Sequence, residues 1–469
     1  GQERTEKRKL ETSKGTAIEA VEGWLAVPER RDLPGSRLIE VRYLRLRSRA
    51  ASPKAPLVYL AGGPGSRGVG DSPRAMDVWS PFLEVCDVVL VDQRGTRDPD
   101  LDWTWDGPLP LDFFLSAEIA RAHAVEMCRR GAAEVRKRGV DLAGYQTNES
   151  ADDIDAIRVA IGAEKVSLLG FSYGTHLGTA YLRRHGERVE GAVLIGVEGP
   201  DHTWKQPLSL DTQFRRIAAM AAADPRIRER VPDLVALLDR VDARLAREPM
   251  RVTIPAPDGK EVTLPIGPFG LHLLLRIDAG DATDIPVFPR LLWSIDQGDA
   301  SILTWFVNKR APIAIGFAGM GYATDAASGW TPGRRALIEE QTKTSRFADV
   351  VNFPFPDIVP ALDVPDLGDG FRGPLASSAR TLFVSGELDW NTPPYQAEEI
   401  KWGFANATHI VVPNAGHEQT FFQNEQAVPV IVDFLAGRDV SERRITYPPL
   451  RFLPLEGSDP QIRHPSASR

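Results

Sequence analysis

The chain has few of the residues that most directly signal a particular chemistry. It holds two cysteines, Cys86 and Cys128, in 469 residues. They allow one internal bridge at most, and neither has the spacing of a metal site or a CxxC redox motif; two unbridged thiols are expected. The eight histidines are scattered, with no HExxH and no paired-ligand pattern, so neither a metal nor an organic cofactor is expected. No stretch approaches the roughly 20 uninterrupted apolar residues of a spanning helix, and a membrane is not an expected partner. Long basic runs are missing, and the formal net charge is −8, which argues against nucleic acid as a partner. Residues 1–14 are charged and contain no apolar signal core. The compartment stays open: periplasmic or secreted if a leader was removed, otherwise cytoplasmic. Nothing in the pattern sets an oligomeric state.

What is present is the balance of a globular protein, 42% hydrophobic and 26% charged. Residues 1–14 read as a polar, frayed arm. Ile39 to Leu46 alternates with period two, as a half-buried antiparallel strand does. Continuous apolar runs follow: Leu57–Ala61, Val88–Val91, Val166–Leu169 and Gly191–Gly196. Each is closed by glycine or polar residues, the signature of parallel strands buried on both faces. Asp152–Ile161, with Ile154, Ile157 and Ile161 in register, and Thr175–Arg184 read as intervening helices. From 200 to 374 the strand rhythm stops. Phe214–Leu245 reads as helix, and Val252–Ile254 with Val262–Leu264 reads as a hairpin turning at Asp258-Gly259. Buried-strand runs resume at Thr381–Val384 and His409–Val412. The expected organisation is an arm (1–14), a first core part (15–199), a mainly helical cap insertion (200–374) and a second core part (375–469). The expected class is α/β, with a mostly parallel central sheet flanked by helices.

Gly170-Phe171-Ser172-Tyr173-Gly174 is a GxSxG motif between a buried strand and a helix. In that setting a sharp, strained turn lifts the serine hydroxyl above the carboxyl edge of the sheet, which is the α/β-hydrolase arrangement. Such a fold needs an acid and then a base further along the chain. Asp389 follows the Thr381–Val384 strand and His417 follows the His409–Val412 strand, both at the edge where open α/β sheets place their sites. Ser172 is therefore read as nucleophile, Asp389 as acid and His417 as base. Glu387 is the nearest rival acid, but it lies closer to the strand and is read as structural; His176 is read as a packing residue. Glycines at 62, 63 and 65 would let main-chain N–H groups approach an oxyanion. Pro64 has no N–H, so Gly63 and Tyr173 are the expected donors.

Taken together, Gly62–Gly65, Asp92-Gln93-Arg94-Gly95-Thr96, Gly170–Thr175, Gly386–Asp389 and Gly416-His417 resemble the proline iminopeptidase and tripeptidyl aminopeptidase family of serine exopeptidases. The likeness runs from Trp24 to Leu455. The chain departs from the family pattern at Arg97, where glycine is usual, at Ala61, where histidine is usual, and near Leu101–Trp103, Ala222 and Ile227, which carry no cysteines. The resemblance implies an α/β-hydrolase core that removes residues from the N-terminus of short peptides through an acyl-enzyme. A carboxylesterase or amidase using the same triad is the alternative, so the expected partner is a small peptide or ester. A peptidase of this kind must hold a free α-ammonium. Glu198, just past the Gly191–Gly196 strand, is the candidate carboxylate, with Asp201 next. Arg94 is read as a brace beneath the site.

Overall fold

The computed structural model describes residues 3–457, apart from 97, 99–100, 102, 104–109, 256–259 and 316–318. Nine strands form one sheet: β1 (Glu3–Glu11), β2 (Ala17–Pro28), β3 (Leu38–Leu46), β4 (Lys54–Leu60), β5 (Cys86–Val91), β6 (Val166–Phe171), β7 (Val189–Ile195), β10 (Arg380–Gly386) and β11 (Ala407–Val412). Their spatial order is β1-β2-β3-β5-β4-β6-β7-β10-β11. The first three strands join antiparallel, and all pairings from β5 onward are parallel. This is an α/β-hydrolase fold, a mostly parallel sheet flanked by helices.

The continuous apolar runs correspond to buried strands, and β5 and β6 are buried at every position. Successive side chains leave opposite faces of a strand. Val58 and Leu60 accordingly enter one hydrophobic cluster, and Leu57 and Tyr59 enter the other. The two clusters are the layers on either side of the sheet. Cys86 and Cys128 are free and buried, one in each layer.

Two local readings need correction. Residues 3–11 of the expected frayed arm form strand β1, paired along its length with β2. Its charged side chains mislead, because edge strands commonly carry charge and gain order from main-chain pairing. Cross-strand contacts add to this: Arg8 pairs with Glu22, and the Arg4 guanidinium lies 3.8 Å from the Trp24 ring centre. The second correction concerns Phe214–Leu245, which is three helices: Pro207–Ala223, Pro225–Arg228 and Leu234–Arg247. The breaks fall at Asp224-Pro225 and beside Pro232, where a missing N–H and the restricted residue before proline stop helix propagation. A smaller shift affects the helix expected from Asp152, which runs Thr147–Ala160 with the Gln146 side chain capping its first N–H groups.

Between β7 and β10 the chain is mostly helical, with one hairpin of β8 (Met250–Pro255) and β9 (Glu261–Ile266). The turn expected at Asp258-Gly259 lies outside the described residues. Two side chains, Gln213 and Ser328, seat this region on the core. Gln213 Nε2 donates to Leu388 O at 2.6 Å and to Ala279 O at 3.0 Å. Ser328, closing the Gly319–Ser328 helix, meets Thr147 Oγ1 at 3.3 Å and His176 Nε2 at 3.2 Å. His176 is fully buried, a packing residue that also touches Gly199 O.

Candidate active site

Four strand ends converge at one edge. β6 delivers Ser172, β4 the glycine loop, β10 the acid loop and β11 the histidine loop. Ser172 sits at φ 57°, ψ −127°, a strained conformation for a residue with a Cβ, held by its N–H to Ile195 O at 2.9 Å. The flanking glycines are sterically required. A Cβ at Gly174 would lie 1.9 Å from Leu60 O, and one at Gly170 would lie 2.5 Å from Gly174 O. Strand and helix therefore pack backbone to backbone around the turn. Ser172 is half-buried, and among the described residues its hydroxyl has no hydrogen-bond partner.

Asp389 is buried with both oxygens engaged. Oδ1 accepts the N–H groups of Asn391 (2.9 Å) and Thr392 (3.1 Å), while Oδ2 accepts Thr392 Oγ1 and His417 Nδ1, both at 2.6 Å. Burial disfavours its charge, but attraction to His417 and these hydrogen bonds outweigh that and hold the carboxyl below its usual range. His417 follows the same logic with opposite sign. Burial works against the imidazolium, and the charge and hydrogen bond of Asp389 overcome it, raising the pKa above 6.5. The ring packs 4.8 Å from that of Phe171, the residue before Ser172, and the His417 N–H donates to Gly280 O at 2.7 Å. Gly196, at φ 60°, leaves space for it: a Cβ there would lie 3.0 Å from both His417 Cε1 and Thr392 Oγ1. Glu387 faces elsewhere, its carboxylate accepting the Asn414 N–H at 3.0 Å.

The glycine loop lies against the nucleophile turn, where a Cβ on Gly62 would be 3.1 Å from Ser172 Cβ. Gly65 N–H is committed to Gln93 Oε1 (3.1 Å) and Ser66 N–H to Gly62 O (3.3 Å). Pro64 has no N–H, and Gly63 N–H has no partner among the described residues. Tyr173 N–H opens the Tyr173–His185 helix and has no intrahelical acceptor. The Gly319–Ser328 helix closes over this loop so tightly that a Cβ on Gly321 would lie 2.7 Å from Pro64 O. Arg94 lies below, fully buried, gripping Asp153 through Nε and Nη2 at 2.8 Å each and the carbonyls of Glu29 and Gly144 at 2.6 Å.

Glu198 is buried beside this edge, and its carboxylate is already paired with Lys205 Nζ at 2.6 Å. Burial would raise its pKa, but Lys205 holds it down. Asp201 is committed to Thr331, accepting its N–H at 2.9 Å and its hydroxyl at 2.6 Å. The residue that sequence reasoning missed is Asp325, on the Gly319–Ser328 helix. Burial first, and then the charge of Glu198, push its carboxyl well above the usual range, and no hydrogen bond or ion pair meets it among the described residues. Thr392 was missed too; its place three residues after the acid in a polar turn was the available signal. Neither Lys205 nor Asp325 sits in a motif. Among the described residues no cluster of His, Cys, Asp and Glu suits a metal, and no helix is long and apolar enough to cross a membrane.

Fold and edge together define an α/β hydrolase. Residues 55–228 match the family model described as "alpha/beta hydrolase fold", and residues 367–443 match the model described as "TAP-like protein". The chain thus has the α/β-hydrolase fold, and its residues 367–443 are similar to TAP-like proteins. Curated relatives include serine protease Hip1 of Mycobacterium tuberculosis, 28% identical over 38% of this chain and 36% of its own. The tripeptidyl aminopeptidase of Streptomyces lividans is 30% identical over 34% of this chain and 32% of its own. The proline iminopeptidase of Neisseria gonorrhoeae is 27% identical over 30% of this chain and 32% of its own. The chain spans about a third of the length of the relatives it matches.

Proposed function

We propose that this protein hydrolyses short peptides from their N-terminal end through an acyl-enzyme on Ser172. His417 takes the hydroxyl proton and passes it to the leaving amine, while Asp389 fixes the ring through Nδ1 and stabilises the imidazolium. Gly63 and Tyr173 N–H groups receive the oxyanion of the tetrahedral intermediate, where one such donor contributes about 2.7–4 kcal/mol. The open Ser172 hydroxyl fits a resting enzyme, since nucleophile–base hydrogen bonds often tighten only with substrate bound.

The observation that carries the peptidase reading is a pair of neighbouring carboxylates, the buried Glu198 and the half-buried Asp325, sharing one lysine. Lys205 answers the charge of Glu198; a substrate α-ammonium would favour the ionised form of Asp325, which burial and Glu198 disfavour, in surroundings where the pairing is stronger than in water. A small carboxylesterase or amidase remains the alternative, favoured by one contact: Glu198 already has its cation. The test compares aminoacyl arylamides bearing free and blocked N-termini. The peptidase reading expects the free amine to be cleaved with at least tenfold higher kcat/KM; equal rates would transfer the assignment to an esterase or amidase.

A further inference from the structure

Arg276 lies on the last turn of the Pro268–Asp278 helix and is half-buried. Its carbonyl accepts the Trp390 indole N–H at 3.0 Å, and its guanidinium carbon is 5.8 Å from the Trp390 ring centre. Trp390 directly follows Asp389, so this arginine stands beside the acid loop. Its guanidinium meets no carboxylate among the described residues, and Nε is buried without a hydrogen-bond partner. The acid nearest in the chain, Asp278, is taken by Arg310, as is Asp284. Burial holds Arg276 below the usual arginine range, and Tyr322 is the neighbour that opposes this.

A guanidinium with an N–H withdrawn from water without an acceptor is costly to keep. Its planar fork suits a carboxylate at two points. Tyr322 and Asp325 lie three residues apart on the Gly319–Ser328 helix and so share one face. Tyr322 acts on Arg276 and Asp325 on Glu198. That helix therefore lies between Arg276, which stands beside the acid loop, and Glu198. A helical turn plus the reach of two side chains matches a peptide of a few residues, at about 3.3–3.6 Å each.

We infer that Arg276 binds the free carboxylate of a short peptide on the leaving-group side of the scissile bond, so that the chamber reads both ends of a zwitterionic substrate. This rests on the peptidase reading and adds a rule to it: an amidated or long C-terminal side leaves the guanidinium unanswered and is handled poorly. Arg276 is a specificity residue in this scheme and takes no part in proton transfer.

The test uses the full chain and matched tri- and tetrapeptides carrying either a free or an amidated C-terminus. The wild type is expected to favour the free acid at least tenfold in kcat/KM. Arg276→Gln should reduce that ratio to near one, and Arg276→Lys should keep part of it. Equal rates on acid and amide in the wild type would overturn the inference without any variant, and so would a preference surviving in Arg276→Gln. A second arm measures inhibition of p-nitrophenyl acetate hydrolysis by the same peptides. If no peptide is cleaved, yet the acid inhibits better than the amide in the wild type alone, the peptidase reading fails and the arginine assignment stands. If peptides are cleaved with no acid preference, the arginine assignment fails and the peptidase reading stands.

Discussion

Asp389, buried in its loop, and Arg276, half-buried on the helix end beside that loop, are both charged, and their surroundings differ completely. Asp389 has both carboxylate oxygens filled, by two main-chain N–H groups, a hydroxyl and an imidazole. Arg276 has a buried Nε with no partner and no ion pair among the described residues. The same contrast separates the sheet edge from the cap. At the edge, four strand ends meet and the Asp389–His417 pair that orients the base is complete before any ligand arrives, which limits reorganisation during the reaction. Under the cap, Asp325 and Arg276 have no ion-pair partner among the described residues, which suits groups that a ligand completes. Where polar groups are finished the protein is organised for chemistry, and where they are unfinished it is organised for binding.

This contrast can be tested from both sides. The largest effect is expected at the nucleophile. Ser172→Ala removes a hydroxyl with no hydrogen-bond partner, so turnover should fall by about 10⁵- to 10⁶-fold while the thermal midpoint stays put; near-normal turnover would end the triad assignment. Asp389→Asn should cost about 10⁴-fold, because the amide no longer selects the imidazole tautomer. It should also move the acid limb of kcat/KM. In the wild type that limb is expected above the ordinary imidazole value of 6.5, since Asp389 raises His417. In the variant it should fall to lower pH, and a limb that does not move would detach Asp389 from His417. The raised pKa also makes His417 a folding contribution, full below the ordinary imidazole value of 6.5 while Asp389 stays ionised, and lost as pH rises through the folded value. Denaturant titrations at several pH values would show this as a falling midpoint.

Smaller effects test the supporting shell and the cap. Thr392→Val deletes one donor to Asp389, a hydrogen bond to charge worth about 1.5–3 kcal/mol. Turnover should drop about 10- to 100-fold on every substrate class alike. The cap carboxylates should behave in the opposite way. Asp325→Asn and Glu198→Gln should raise KM for free-amine substrates by about 10-fold while changing KM for simple esters less. An equal effect on both classes would reject amine recognition, and would make the two regions alike in kind.

Much of the sheet edge was legible because its signals are local. Val166–Leu169 followed by GxSxG reads as strand, turn and helix from the residue pattern alone, and the glycines at 170 and 174 are needed for backbone contact that any such elbow requires. β1 was misread because main-chain pairing leaves no trace in a charged side-chain pattern. The long helix expected over Phe214–Leu245 overlooked the prolines that interrupt it. Asp325 and Arg276 carried no signal, because nothing adjacent in the chain marks either as special.

By itself, the order of residues determined the strand rhythm, the strained turn at Ser172 and the places where an acid and a histidine follow strands. These depend on neighbours within a few positions, where steric and hydrophobic patterning acts directly. Only the tertiary structure decided that Glu198 meets Lys205, that Asp325 is left facing them, and that Arg276 stands beside the acid loop without a counter-ion. Electrostatic partnership is set by distance through space and by exclusion of water, and both appear only when segments remote in the chain have packed together.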